Sequence, residues 1–267
     1  MSAIDQLFRD LRANRRKAFM PFITAGDPSL DVTQAIIQQL AAHGCHLCEV
    51  GIPYSDPIAD GPVIQASYTR ALDKHVKLDA ILEMLKQTSS QVSMPLVTMV
   101  SYAIVYRHGL ERYVADAKAA GLAGLIVPDL LVEEAPPLAE LCRQADLSLI
   151  QLVTPTTSRE RAIQIAQTST GFLYYVSVTG ITGARQELPS GVVDQVAWLR
   201  EQTELPICIG FGISRPEHVR TLVGVADGVI VGSALVRYLE RLTNEPRAQV
   251  EAEMMQLVDS LLAALNS

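Results

Sequence analysis

A chain of 267 residues, 49% hydrophobic and 19% charged, is long enough to bury roughly 70–75% of its unfolded surface. Its net charge of −7 speaks against a nucleic-acid surface, which carries a basic excess. No apolar run approaches the ~18 residues of a membrane span, and residues 1–19 lack the apolar stretch of a signal peptide.

The chain opens on MSAIDQLFRDLRANRRKAF, in which Ile4, Leu7, Phe8 and Leu11 share one face of an amphipathic helix over 1–16. Short apolar runs then alternate with segments of period near 3.6. The runs predict strands at 18–24, 46–52, 95–102, 124–129, 148–155, 172–179, 206–212 and 227–233. The segments between them predict helices at 30–43, 62–88 (as two helices), 109–120, 133–145, 158–168, 190–203 and 215–224. VGSAL opens another, and a helix over 246–265 closes the chain.

The strand runs are apolar throughout rather than alternating, the mark of a parallel sheet covered on both faces. Eight β-then-α units in about 250 residues fit the α/β class and its (β/α)8 TIM barrel. A doubly wound open sheet is the alternative. No Pro/Gly/Ser-rich linker or charge block divides the sequence, so residues 1–267 read as a single barrel domain with an extra N-terminal helix.

A barrel of this kind places its chemistry at the C-terminal ends of the strands. That filter selects Asp27 after the first run, Glu49 near the end of the second, and the loop GIPYSDPIADG that follows it. It also selects Ser101-Tyr102, Pro128-Asp129, Tyr174 and Tyr175 before SVTGITGAR (177–185), Gly210-Phe211-Gly212 and Gly232-Ser233. GFGIS and VGSAL put glycines at two successive helix starts, where backbone N–H groups point at an anion. Loops after the seventh and eighth strands of barrels often hold a phosphate. Phosphate binding is therefore predicted there, with simple tight turns as the alternative.

A carboxylate on an apolar strand end is poorly solvated, so Glu49 should hold a raised pKa and carry a proton near neutrality. A partnered structural acid is the alternative for it. Asp60, on a polar loop, should stay ionised, and the two could divide acid and base work. On the residues alone Asp60 could equally be the N-cap of the helix that follows. Asp56 reads as a turn residue, while Asp27 and Asp129 stay open between caps and site groups. No lysine sits at a strand end, which disfavours Schiff-base chemistry. The scattered histidines and the lone Cys45-x-x-Cys48 pair give no metal site. The four cysteines read as core thiols in a reduced, cytoplasmic setting. What remains is acid–base catalysis on a small phosphorylated substrate, without metal or cofactor.

Five segments, PFITAGDP, EVGIPYSDPIADGPVIQ, YYVSVTGITGAR, GFGISRPEHV and VIVGSALV, resemble in order the tryptophan synthase α subunit family, over about residues 18–240. The resemblance implies a lyase that cleaves indole-3-glycerol phosphate to indole and glyceraldehyde 3-phosphate in a retro-aldol reaction. It implies that Glu49 protonates the indole ring and takes the glycerol hydroxyl proton, and that Asp60 accepts from the ring N–H. Tyr174 matches the family's active-site tyrosine, Phe22 an aromatic of the indole pocket, and Thr182 a threonine that bonds the acid at Asp60 on closure. Gly183, Gly212, Gly232 and Ser233 match its phosphate binders, and 53–60 and 178–190 its mobile loops. A β subunit is the implied partner, in an α2β2 assembly. It would carry the pyridoxal phosphate (PLP) and receive indole through a tunnel for tryptophan synthesis. Two departures stand out. SYAIVYRHG replaces a family pattern close to YYNPIFRYG, which puts Ser101 in place of a pocket tyrosine, and Leu131 replaces a proline. They bear on pocket shape and partner contact. A chain that mainly activates β, a stand-alone lyase, and a different phosphate-binding barrel such as an isomerase of histidine biosynthesis are the other readings.

Overall fold

The computed structural model describes residues 2–58, 60–177, 191–210 and 212–266. Its strands, all parallel, are β1 (Ala18–Thr24), β2 (Cys48–Gly51), β3 (Leu96–Met99), β4 (Gly124–Ile126), β5 (Ser148–Ile150), β6 (Leu152–Val153), β7 (Leu173–Val176), β8 (Ile207–Gly210) and β9 (Gly228–Val231). They form one sheet in the order β5-β4-β3-β2-β1-β9-β8-β7-β6. β5 and β6 are one run of chain interrupted at Gln151, so the predicted fifth strand supplies both ends of the sheet. The Gln151 carbonyl accepts the Tyr174 N–H at 3.1 Å and so joins the two ends. The result is the (β/α)8 barrel that the continuous apolar runs predict.

The helices are α1 (Ala3–Ala13), α2 (Leu30–Ala42), α3 (Pro62–Asp73), α4 (Leu78–Ser89), α5 (Tyr102–His108) and α6 (Leu110–Ala119). α7 (Ala135–Gln144), α8 (Arg159–Thr168), α9 (Val192–Arg200), α10 (Pro216–Leu222), α11 (Ser233–Arg241) and α12 (Arg247–Leu265) complete the set among the described residues. The segment 62–88 is two helices, as the pattern suggests. No helix among the described residues is long and apolar enough to cross a membrane, and all four cysteines are free and buried.

The pleat sends alternate side chains to opposite faces, and here both faces are buried. Phe19, Ile23, Val50, Leu125 and Val229 point outward into a layer shared with Ile36, Leu40, Leu85 and Leu138 of the helices. Met20, Phe22, Val97, Met99, Ile126, Ile150 and Tyr174 fill the barrel interior. The same inner cluster contains Ile4, Phe8 and Leu11 of α1. That helix starts with a capping box between Ser2 and Asp5. Its Phe8 ring lies 5.8 Å from that of Phe172, at the N-terminal edge of β7, and Ser2 Oγ meets Ser148 Oγ at 3.0 Å. The amphipathic face read from the sequence is thus a plug at the N-terminal end of the barrel.

The third strand departs from its prediction. The apolar run was expected to extend to 102, but β3 stops at Met99 and α5 begins at Tyr102. Ser101 Oγ accepts the Ala103 N–H at 3.3 Å, which caps the helix. Asp129 completes the cap, accepting from Ser101 Oγ and from the Tyr102 N–H, both at 2.7 Å. An apolar sequence hides this break because the group that sets it lies 28 residues away.

Asp27, at the end of β1, is fully buried. Its two oxygens accept from Arg70 Nε at 2.9 Å and Nη2 at 2.7 Å, so a forked ion pair ties β1 to α3. Removing one partner of a buried pair strands the other charge, whereas exposed pairs contribute little. Arg70→Ala should lower the thermal unfolding midpoint by about 5–10 °C. Arg112→Ala, which removes an exposed partner of Asp116, should leave it within about 2 °C. Equal midpoints for the two variants would contradict this.

Candidate active site

Glu49 shares strand parity with Leu47, an inward residue, so the pleat turns its side chain into the barrel. In register it lies between Phe22 on β1 and Val97 on β3, both members of the inner cluster. Glu49 is 1% exposed, and its Oε1 has no hydrogen-bond partner among the described residues. Burial first, and the charge of Asp60 second, push its pKa up to about 8. Among the described residues it shows no partner of the kind a structural acid would have.

Asp60 is not the N-cap of α3. That position belongs to Gly61, which makes no side-chain cap bond. The Asp60 N–H donates to the Pro57 carbonyl at 3.1 Å. Gln65 Nε2 donates to the Pro57 and Asp60 carbonyls at 3.1 and 2.8 Å, which pins the loop to α3. The carboxylate lines the same cleft as Glu49. Burial, and then the Asp129 charge, raise its pKa to about 6.

The cleft is bounded by Phe22, Glu49, Asp60, Met99, Tyr174, Gly212, Gly232 and Ser233, and is open to solvent on one side. Tyr174 is buried, and its phenol is held well above the ordinary tyrosine value by burial and then by Glu49 and Asp60. It is therefore a neutral O–H. Two strand-end glycines make room for the aromatic walls. A Cβ on Gly210 would sit 2.3 Å from the Tyr174 hydroxyl oxygen, and one on Gly51 would sit 2.6 Å from the Phe22 ring. Sequence reasoning gave Gly210 to the phosphate loop; its contact is with the tyrosine.

Six of the residues expected to act together do converge: Phe22, Glu49, Asp60, Tyr174, Gly232 and Ser233, with Gly212 as a seventh, all line one cleft. Thr182 and Gly183, and the loop 178–190, lie outside the described residues. Asp27 and Asp129 are structural, as above. Asp56 is exposed and accepts from Ser55 Oγ at 2.6 Å. Among the lining residues that the sequence reading missed, the charged one is Arg237, on α11. Its signal was present, since it stands four residues after Ser233 on the same helical face.

A parallel barrel, plugged at its N-terminal end, with a carboxyl-bearing cleft at the C-terminal ends of its strands, defines a (β/α)8-barrel enzyme. The family model described as tryptophan synthase alpha chain matches residues 8–265. A tryptophan synthase alpha chain from Rhodopirellula baltica is 59% identical over 240 residues, spanning 89% of this chain and 86% of its own. One from Geobacter sulfurreducens is 43% identical over 267 residues, with 100% of each chain covered. The crystal structure of tryptophan synthase subunit alpha from Legionella pneumophila superposes with a TM-score of 0.89 at 34% identity, covering 100% of this chain and 99% of that one. A chain in a structure of Mycobacterium tuberculosis tryptophan synthase gives 0.90 at 31%, with the same coverage. The chain belongs to the tryptophan synthase alpha chain family, an enzyme of the lyase class in tryptophan biosynthesis.

The raised pKa of Glu49 has a stability consequence. In the unfolded chain the group ionises near 4.5, in the fold only near 8. The fold is therefore favoured by the proton, and that contribution is lost as pH rises from about 4.5 through 8. Thermal denaturation of Glu49→Gln against wild type should show a gap that moves in favour of the variant across that window. Its total change should be on the order of 5 kcal/mol. A gap independent of pH would contradict the buried, protonated state.

Proposed function

We propose that the chain cleaves indole-3-glycerol phosphate to indole and glyceraldehyde 3-phosphate, with Glu49 as proton shuttle and Asp60 as the group that stabilises the charged ring. The observation that carries this is the pair of carboxyls in one cleft with separated proton affinities, near 8 and near 6. At pH 7 the first holds its proton and the second does not, so one site offers an acid and an anion together.

The steps balance. Glu49 gives its proton to carbon 3 of the indole, and the ring becomes a cation whose N–H is bound by the Asp60 carboxylate. The Glu49 carboxylate then takes the proton of the hydroxyl on the adjoining glycerol carbon. The carbon–carbon bond breaks, its electrons return to the ring, the aldehyde forms, and Glu49 is again protonated. Phe22 offers an apolar wall to the ring and Tyr174 a neutral O–H beside the acid. Gly212, Gly232 and Ser233 would receive the phosphate, because α11 begins at Ser233 with Gly232 as its N-cap. A helix start carries unpaired N–H donors and a partial positive charge. Thr182 and Gly183 keep the roles that the family resemblance gives them, and 53–60 that of a closing loop.

The partner on this reading is a β subunit that holds the pyridoxal phosphate and takes the indole, in an α2β2 assembly. Three exposed apolar side chains support such a contact: Ile58 at 82%, Tyr106 at 68% and Leu131 at 54%. They follow three adjacent strands, β2, β3 and β4, on the mouth side of the barrel. Free thiols fit a cytoplasmic setting.

Indole release from indole-3-glycerol phosphate, with a β subunit present, tests the assignment. Wild type should turn over, and Glu49→Gln should lose activity by a factor of about 10³ or more while it binds phosphate ligands within a few-fold. Retained turnover would mean that another group is the acid. The kcat/KM profile should be bell-shaped. It should fall below about pH 6 as Asp60 takes a proton, and above about pH 8 as Glu49 loses one. Asp60→Asn should remove the acidic limb. The same assay without β should run more slowly; equal rates would remove the activating role of the partner.

A further inference from the structure

We propose that Arg237 is a substrate-binding residue whose guanidinium grips the phosphate at the start of α11. The inference rests on the reading of this cleft as a phosphate site, and deepens it. Ser233 and Arg237 are four residues apart on one helix, so they stack on the same face. Side chains on an α-helix lean toward its N-terminus. The Arg237 side chain therefore runs back over the first turn, and it lines the cleft together with Gly232 and Ser233.

Its neighbours are committed elsewhere. Arg241, one turn further on, pairs with Glu245 and Glu253, each at 2.7 Å. Arg70, on the packed helix α3, is held by Asp27. Arg237 makes no ion pair or hydrogen bond with another described residue. A long cation left unpaired at a cleft is a group kept for a ligand's charge.

The electrostatics require such a group. A phosphate ester carries close to two negative charges, while a helix start offers roughly half a positive charge. The same cleft holds the Asp60 carboxylate, in a chain of net charge −7. Donors from backbone N–H groups alone leave that repulsion largely unbalanced. A guanidinium fork offers two parallel N–H donors matched to two phosphate oxygens, and a full charge.

Inhibition of indole release by inorganic phosphate, measured in the αβ complex, tests this. Arg237→Gln should raise both the phosphate Ki and the KM about ten-fold or more, with a much smaller fall in kcat. Its kcat/KM should also depend less steeply on salt. Arg237→Lys should recover most of the loss, because it restores the charge. An unchanged Ki in a folded Arg237→Gln would overturn the proposal while leaving the phosphate site intact. A wild type that phosphate does not inhibit would overturn the phosphate reading of the cleft, and this inference with it.

Discussion

An unpaired carboxyl inside the barrel is the constraint on which the rest of this structure depends. Glu49 sits at 1% exposure with an oxygen that no donor among the described residues meets. Left in water the group would ionise near 4.5, and a dry charge without a partner is among the costliest things a fold can hold. The proton stays on instead, and the stability lost to that arrangement must come from the surrounding layers. α1 closes the N-terminal end with Ile4, Phe8 and Leu11, and Phe22, Met99 and Tyr174 pack the interior around the acid. Gly51 and Gly210 are there because the aromatic walls leave no space for a Cβ. The inner layer serves the acid, while the outer layer between strands and helices provides the bulk of the apolar burial.

The aspartates around the mouth show how similar groups are given different work by their partners. Asp27 is locked by the Arg70 fork and joins β1 to α3. Asp129 is consumed in starting α5. Its charge still reaches Asp60 and helps to lift that carboxyl to about 6. A residue that builds a helix cap thus also tunes a residue of the cleft. Asp60 keeps its backbone tied to Gln65 and leaves its carboxylate on the cleft. The loop is positioned through main-chain contacts, which frees the side chain for a ligand.

What could be read from the sequence follows the range of the interactions. The barrel was legible because continuous apolar runs of strand length report a property of each strand by itself. Glu49 was legible for the same reason: a lone acid in HLCEVGI contradicts its own surroundings. The plug helix was legible from the spacing of Ile4, Leu7, Phe8 and Leu11. Asp27 and Asp129 were not, because the partners that decide them lie 43 and 28 residues away. Asp60 could not be separated from an N-cap without seeing that Gly61 takes that position. The break at α5 was hidden inside SYAIVYRHG, whose apolar residues suit a strand or a helix equally. Gly210 looked like a phosphate loop because nothing local announces a tyrosine on the adjacent strand, whose hydroxyl oxygen a Cβ would approach to 2.3 Å.

The central claim is that Glu49 holds its proton at neutral pH inside the barrel while Asp60 does not. A carbon-13 NMR titration of side-chain carboxyls, with Glu49 assigned by comparison with Glu49→Gln, reads that state without any turnover. The Glu49 resonance should titrate near pH 8 and that of Asp60 near pH 6. A Glu49 midpoint near the ordinary value of 4.5 would contradict it.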